Sequence, residues 1–520
     1  MVVTRRTVLR GLGAGALGVL GVAGAGTLAG CSDRAQPPGG PTATTGGATP
    51  ATPPASTAAS TRPPDWAGLR GRLAGELLLP GDRGYDAAKR CYNPLFDQRR
   101  PAAVARCQRV ADVQACVAEA AATRVPIAAR SGGHSYAGYS TPDAGLVVDL
   151  RGLAGVEVRA DGTAVVGAGA RLIDVYQALA KAGRCLPAGS CPSVGVAGLT
   201  LGGGIGVLTR KYGLTCDQLT EAEVVTADAS ARTVSATSEP ELFWALRGGG
   251  GGNFGVVTSF TFRTAPAPDL TVFSLRFPAG SVAQVLGAWQ DWCAEAPDEL
   301  WTNCVITSGS PPTCRVGGCF VGSTGALAPH LDALVRAAGT TPSARFSNQL
   351  SYLNAMRYFA GCAQRSVDAC HPSGEGGGQL ERESFAASSS VLDQPLADPD
   401  QLVDLVTGHT DLDVLLDSLG GAVSRVGAAD TAFPHRSALA SVQVYAEVTD
   451  AIGPQRATSA MREVRDGLGA LVGGAGYVNY IDPDLPDWAT AYYGGNLDRL
   501  RRVAGSYDPD RVFAFAQGLA

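Results

Sequence analysis

Between Gly189 and Gly206 the chain reads Gly-Ser-Cys-Pro-Ser-Val-Gly-Val-Ala-Gly-Leu-Thr-Leu-Gly-Gly-Gly-Ile-Gly, and no other segment constrains the fold as much. So many glycines in an apolar setting put bare backbone directly against something flat or crowded, where a side chain would not fit. Cys191 stands just before Pro192. A residue before proline is held extended, here in a way that presents the thiol. By itself the segment also admits the usual fate of cysteine, which is burial as a small apolar side chain.

Glycine clusters twice more. Pro126-Ile127-Ala128-Ala129-Arg130-Ser131-Gly132-Gly133-His134-Ser135-Tyr136 reads as a short buried strand, a turn with paired glycines, and then a histidine. Paired glycines let backbone N–H groups converge on an anion such as a pyrophosphate, and a histidine just past the turn can reach an aromatic cofactor ring. An isolated Gly-Gly-His is more often a plain surface turn. Arg247-Gly248-Gly249-Gly250-Gly251-Gly252-Asn253-Phe254-Gly255-Val256-Val257 is similar to a phosphate cradle. No Lys-Ser/Thr pair follows, so it is no P-loop. Its glycines run into a strand rather than opening a helix, so it is no Rossmann fingerprint. A fourth dense region holds Tyr477-Val478-Asn479-Tyr480, Tyr492-Tyr493-Gly494-Gly495-Asn496 and Tyr507-Asp508-Pro509. Leu497 and Leu500 begin an amphipathic helix, with Asn496 as its N-cap or as a cofactor contact.

The 520 residues suffice for two or three packed units at roughly 100–200 residues each. Residues 1–31 read as an address: Thr4-Arg5-Arg6-Thr7-Val8-Leu9-Arg10 is a twin-arginine pattern, and Leu28-Ala29-Gly30-Cys31 a lipobox with Cys31 as the lipidated residue. An uncleaved membrane anchor is the lesser reading, because the stretch is so rich in Gly and Ala. Residues 32–64, dominated by Pro, Thr, Ala and Gly, form a tether unable to bury a core. Residues 65–266 alternate helices and strands. Val113, Cys116, Val117 and Ala120 share a helical face, with Asp112 as N-cap. Strands follow at Pro126–Ala129, Leu146–Leu150 and Val256–Phe262. Arg171–Ala182 is helical, with Leu172, Val175, Tyr176 and Leu179 inward and Gly183 as the stop. From 267 to 476, alternating runs such as Thr271–Phe277 indicate an antiparallel sheet, backed by helices near Val282–Trp292 and His330–Ala338. Residues 477–520 return to dense motif.

Net charge is −5, with no Lys/Arg run after the first ten residues, which argues against a nucleic-acid partner. No Cys-x-x-Cys occurs and no His sits at ligand spacing, so no metal site is expected. An extracytoplasmic address permits disulfides. Of the 13 cysteines, Cys362–Cys370 is the foremost pair and Cys314–Cys319 a second candidate. Setting Cys31 and Cys191 aside leaves an odd number, so at least one thiol stays free.

The order and spacing of these motifs resemble the berberine bridge enzyme-like flavoproteins, within the p-cresol methylhydroxylase/vanillyl-alcohol oxidase superfamily. The resemblance runs from about Pro80 to Gln517 and takes in Tyr85, Asn93-Pro94, Tyr507-Asp508-Pro509 and Phe513. It implies an α+β fold: a two-part FAD-binding domain (65–266 with 477–520) and a substrate domain (267–476) with an antiparallel sheet backed by helices. It implies FAD bonded at its 8α-methyl to His134 and at C6 to Cys191. The implied cofactor-binding set further holds Arg130, Ser131, Gly132, Gly133, Ser135, Val194, Gly195, Val196, Gly198, Gly202, Gly203, Gly206, Val257, Tyr493 and Asn496. Tyr480 is the implied catalytic base. A free phenol titrates near about 10, so Tyr480 would need a nearby positive charge or hydrogen bonds to its anion. In relatives a small valine at the place of Val194 goes with oxygen access to the flavin, which implies an oxidase releasing hydrogen peroxide.

Two departures leave the substrate open. Ile205 stands where sugar-oxidising relatives tend to carry Tyr, and Ser388 where many bacterial relatives have Lys. The expected partners are a small hydroxyl-bearing carbohydrate or natural product, oxygen, and the outer face of the bacterial cell membrane through lipid on Cys31. A dehydrogenase feeding a membrane acceptor and a non-catalytic ligand-binding lipoprotein stay open beside the oxidase.

Overall fold

The computed structural model describes residues 62–374 and 377–519. The address, Cys31 and most of the tether lie outside the described residues. Among the described residues no helix is long and apolar enough to cross a membrane.

The N-terminal half holds two larger sheets and a two-stranded pairing of Arg184–Cys185 with Ala265–Pro266. Glu76–Leu78, Ala103–Arg106, Leu146–Asp149 and Ile127–Arg130 lie side by side in that order, the first pair antiparallel and the rest parallel. Leu146–Asp149 is buried along its whole length, as an apolar run in the middle of a parallel sheet must be. A second, antiparallel sheet runs Val156–Val158, Thr163–Gly167, Val256–Arg263, Leu219–Val225, Ala231–Ser235. Helix Leu172–Lys181 packs Leu172, Val175, Tyr176 and Leu179 inward and ends before Gly183, whose φ of +67° is the left-handed turn expected of a stop.

Helix Val110–Thr123 buries Val113, Cys116, Val117 and Ala120, but Asp112 is not its N-cap. The helix starts three residues earlier, after Arg109, and Asp112 lies in its first turn. Its carboxylate instead accepts from the backbone N–H groups of Gln108, Ala74 and Gly75 at 2.9, 2.9 and 3.2 Å. Burial alone would push this carboxyl up; those amides and Arg109 hold it below the usual range.

The following region is a seven-stranded antiparallel sheet in the order Ala344–Leu350, Leu270–Arg276, Thr313–Val321, Leu300–Thr307, Leu412–Ser418, Ala440–Glu447, Phe385–Leu392. Helices Val282–Ala294, Thr324–Ala338 and Gly453–Val472 cover one face, where Leu275, Cys304, Val316, Leu416 and Val442 meet Val285, Trp289, Leu331 and Val464. The second of these helices begins already at Thr324, because the Ser323 hydroxyl caps it on the N–H of Ala326. Side chains alternate along a strand. The residues between those apolar ones, among them Asn303, Arg315, Asp417 and Gln443, therefore leave the opposite face and look toward the N-terminal half. The C-terminal residues Tyr492, Tyr493, Leu500, Val503 and Phe513 join the core of that half.

Cys362 and Cys370 form a disulfide. Cys314 and Cys319 do not pair: both lie on Thr313–Val321, and their odd spacing sends them to opposite faces.

Candidate active site

A cavity of about 380 Å³ lies where the polar face of the seven-stranded sheet meets the glycine-rich segments. Its size is ordinary for a small-molecule or cofactor cleft, roughly 300–1,000 Å³. Strand Ile127–Arg130 delivers the turn that carries His134, and Gly133 makes that turn at φ +71°. Gly132 lies so close to the Cys191 segment that a Cβ on it would stand 2.2 Å from the Gly195 nitrogen and 2.6 Å from the Ser193 oxygen. The two motifs are thus clamped backbone to backbone, and only glycine permits it. The His134 ring stacks on Tyr92 with centroids 3.9 Å apart, and its Nε2 lies 3.0 Å from Ser193 Oγ. Cys191 is half-buried on the same wall, which continues through Val194, Gly195, Gly198 and Gly206.

The third glycine cluster adds Gly250, Gly251 and Gly252, followed by Val257. Gly198 and Gly251 are exposed to the cavity. A Cβ on Gly198 would meet nothing within 4 Å, and one on Gly251 only Leu201 at 3.9 Å. The lining here is bare backbone turned toward open space, as a flat ring and a phosphate chain require. Ser131, Gly132, Gly133, Ser135 and Tyr493 line the cavity too. The Tyr493 hydroxyl donates to Gly249 O at 3.1 Å, holding the cluster in place.

Tyr480 faces the same cavity between two rings. Tyr136 stacks on it at 5.5 Å with planes 5° apart, and Tyr477 meets it edge-on at 5.0 Å. Both neighbours are pinned. Tyr136 Oη accepts from Gln443 Nε2 at 2.7 Å. Tyr477 Oη accepts from the N–H groups of Gly204 and Ile205 and from Asn479 Nδ2 at 3.0, 3.3 and 2.8 Å. Burial pushes the Tyr477 phenol up to about 12, so it stays neutral near pH 7. Tyr477 was not singled out from sequence, although two tyrosines three apart beside Asn479 were visible. Ile205 also lines the cavity.

Five residues of the expected set do not line the cavity. Arg130 is buried on the far side of its strand and pairs with Asp149 at 2.9 Å, its register partner on Leu146–Asp149. Val196 points into the core. Gly202 backs onto Asn479 and Gly203 onto Phe433. Asn496 precedes helix Leu497–Tyr507 but makes no side-chain cap; its amide donates to the carbonyls of Ala428, Thr431 and Ala432 at 2.7, 3.2 and 3.4 Å. Ser388 is also no cleft residue. It lies opposite Val444 on the helix-covered face, so the residue at this position does not form the cavity wall. The sheet contributes Trp301, Asn303, Arg315 and Asp417, and helix Tyr352–Phe359 contributes Tyr358; strand alternation alone could not have flagged them.

This fold, with a histidine and a cysteine beside a bare-backbone cradle, defines an FAD-binding oxidoreductase site. Residues 101–235 match the sequence profile described as an FAD binding domain, and residues 476–520 the one described as berberine and berberine like. The FAD-linked oxidoreductase YgaK of Bacillus subtilis is 33% identical over 86% of this chain and 97% of its own. The chitooligosaccharide oxidase of Gibberella zeae is 32% identical over 81% of this chain and 87% of its own. The structure of Physcomitrella patens BBE-like 1 superposes with a TM-score of 0.81 at 30% identity, covering 88% of this chain and 99% of that one. The chain belongs to the berberine bridge enzyme-like family and is an FAD-linked oxidoreductase.

Proposed function

We propose that this enzyme is an oxidase of hydroxyl-bearing carbohydrates or natural products, holding FAD covalently through His134 and Cys191 and releasing hydrogen peroxide. The observation that carries the reading is the meeting of His134 and Cys191, from separate motifs, on one wall of the cavity that Tyr480 also faces. Bound flavin would supply hydride acceptance and reoxidation by oxygen.

The residues divide the remaining work. His134 is held by Tyr92 and Ser193, with its ring directed along the cavity wall. Cys191 presents sulfur from the extended segment before Pro192. Tyr480, oriented by Tyr136 and Tyr477, takes the proton that leaves the substrate hydroxyl. Val194, on the wall three residues past Cys191, fits oxygen access. The oligosaccharide oxidases among the relatives make a saccharide alcohol the first substrate class to try. Export by the twin-arginine route and lipid on Cys31 belong to the same reading.

The test begins with denatured, acid-precipitated protein. Yellow colour should stay in the pellet and be released when His134→Ala and Cys191→Ala are combined; colour lost from the wild type sinks the covalent attachment. A panel of alcohols and sugars with peroxide detection then reads the activity. Reduced flavin that persists in air, yet is reoxidised by a membrane acceptor, would replace the oxidase by a dehydrogenase.

A further inference from the structure

The sheet side of the cleft carries a cation that nothing among the described residues neutralises by contact. Arg315 lies on strand Thr313–Val321, where Cys314 and Val316 face the helices, so its own side chain leaves on the cleft side. The guanidinium lies across the next cleft-facing position, Gly317. A Cβ there would stand 2.1 Å from Nη1, so glycine is what gives the arginine room. The side chain is half-buried, yet among the described residues it makes no hydrogen bond and no ion pair. Its Nε is sealed away without an acceptor, which leaves the two terminal nitrogens facing the cavity shared with His134, Cys191 and Tyr480.

The neighbours reinforce the picture. Arg276, in register with Arg315 on the adjacent strand, brings a second positive charge rather than a counter-ion. Trp301 Nε1 and Tyr358 Oη, on residues that line the same cavity, are buried without partners among the described residues. Asp417 attracts Arg315 through space but does not reach ion-pairing distance. Glu383 is engaged by the Tyr445 hydroxyl at 3.0 Å. A half-buried charge without a partner is costly, and such charges concentrate at functional sites.

We propose that Arg315, flanked by Trp301 and Tyr358, is an anion subsite, and that the alcohol oxidised here carries a carboxylate, as a sugar acid does. A planar guanidinium fork matches a carboxylate with two parallel hydrogen bonds. One free guanidinium with Asp417 nearby suits a single negative charge better than a phosphate dianion. That the ligand is a substrate rests on the oxidase reading; that it is an anion does not.

The experiment is calorimetric titration of the holoenzyme with glucuronate and with glucose, a pair differing at one carboxylate. Wild type should bind glucuronate at least about tenfold more tightly, the scale of a hydrogen bond to a charged group. Arg315→Gln should bring the ratio near one, and Arg315→Lys should keep part of it. Gly317→Ala should lower the ratio as well, by displacing the guanidinium while keeping its charge; this variant decides if Arg315→Gln does not fold. Equal affinities in wild type, no binding of glucuronate, or an unchanged ratio in Arg315→Gln overturns the subsite. Peroxide release, followed in parallel, separates the two proposals. Tight glucuronate binding with no turnover of any panel member sinks the oxidase and keeps the subsite. Turnover of neutral sugars without preference for the acid does the reverse.

Discussion

Tyr480 reaches the cavity with its ring flanked by Tyr136 and Tyr477, each tethered through its own hydroxyl oxygen. That support fixes where its oxygen points, which a general base needs before its basicity matters. On the proposed mechanism Tyr480→Phe lowers kcat by about 10²–10⁴, the usual contribution of a positioned base. Steady-state peroxide production from the best panel substrate measures this, and an unchanged kcat would remove Tyr480 from the role. Arg130 shows the opposite outcome for a motif residue. It lies four residues before His134, yet its terminal nitrogens are engaged by Asp149 and by the Lys89 carbonyl. Burial would push the Asp149 carboxyl up, but Arg130 and Arg151 hold it well below the usual range. His134 was legible only through the combined motifs and the family they resemble, since an isolated Gly-Gly-His is more often a plain turn. The retreat of Arg130 was not, because its partner sits on a strand that no local pattern joins to it.

At the scale of elements, two kinds of contact could be read in advance and one could not. Cys362 and Cys370 are close in sequence, so chain geometry favours their pairing, whereas Cys314 and Cys319 are kept apart by the alternation of one strand. The segment bearing that disulfide docks on helix Leu172–Lys181 through His371, whose Nε2 lies 3.0 Å from Asp174 Oδ1. The hydrogen bond to Asp174 raises the His371 pKa above its ordinary value. A group raised on folding stabilises fully below its unfolded pKa of about 6.5, and the gain is lost as pH climbs through the folded value. His371→Gln should therefore melt below wild type near about pH 6 and converge with it by about pH 9. The gap should be no more than about 1 kcal/mol, since both groups are partly exposed. Melting curves across that range check it, and a difference that grows with pH would refute the assignment.

Over the whole molecule, the cavity exists only because the sheet of seven strands is held against the N-terminal half. Arg436 and Asp217 do this from the interior, with two parallel contacts of 2.8 Å between nearly inaccessible side chains. Arg382 and Asp97 form a second such fork nearer the surface, at 2.9 and 2.5 Å. Removing one partner of a buried pair strands the other charge and costs about 3–5 kcal/mol. An exposed pair is worth about 0–1 kcal/mol. Arg436→Ala should thus destabilise far more than Arg382→Ala, and calorimetry should show the two halves beginning to melt separately in the first variant alone. Equal losses would mean the interior fork does not govern the docking.

By itself the sequence determined the local matters: where backbone had to run bare, which faces of strands and helices were apolar, which cysteines were near enough to join. Steric and periodic rules act over a few residues, so they can be read without a fold. Only the tertiary structure decided which of those faces share a cavity. It brought Gly132 onto Gly195, set Tyr480 between two rings, turned Arg130 away and left Arg315 open to the cleft. Each of these depends on packing between segments far apart in the chain, and such contacts leave no periodic trace in the order of residues.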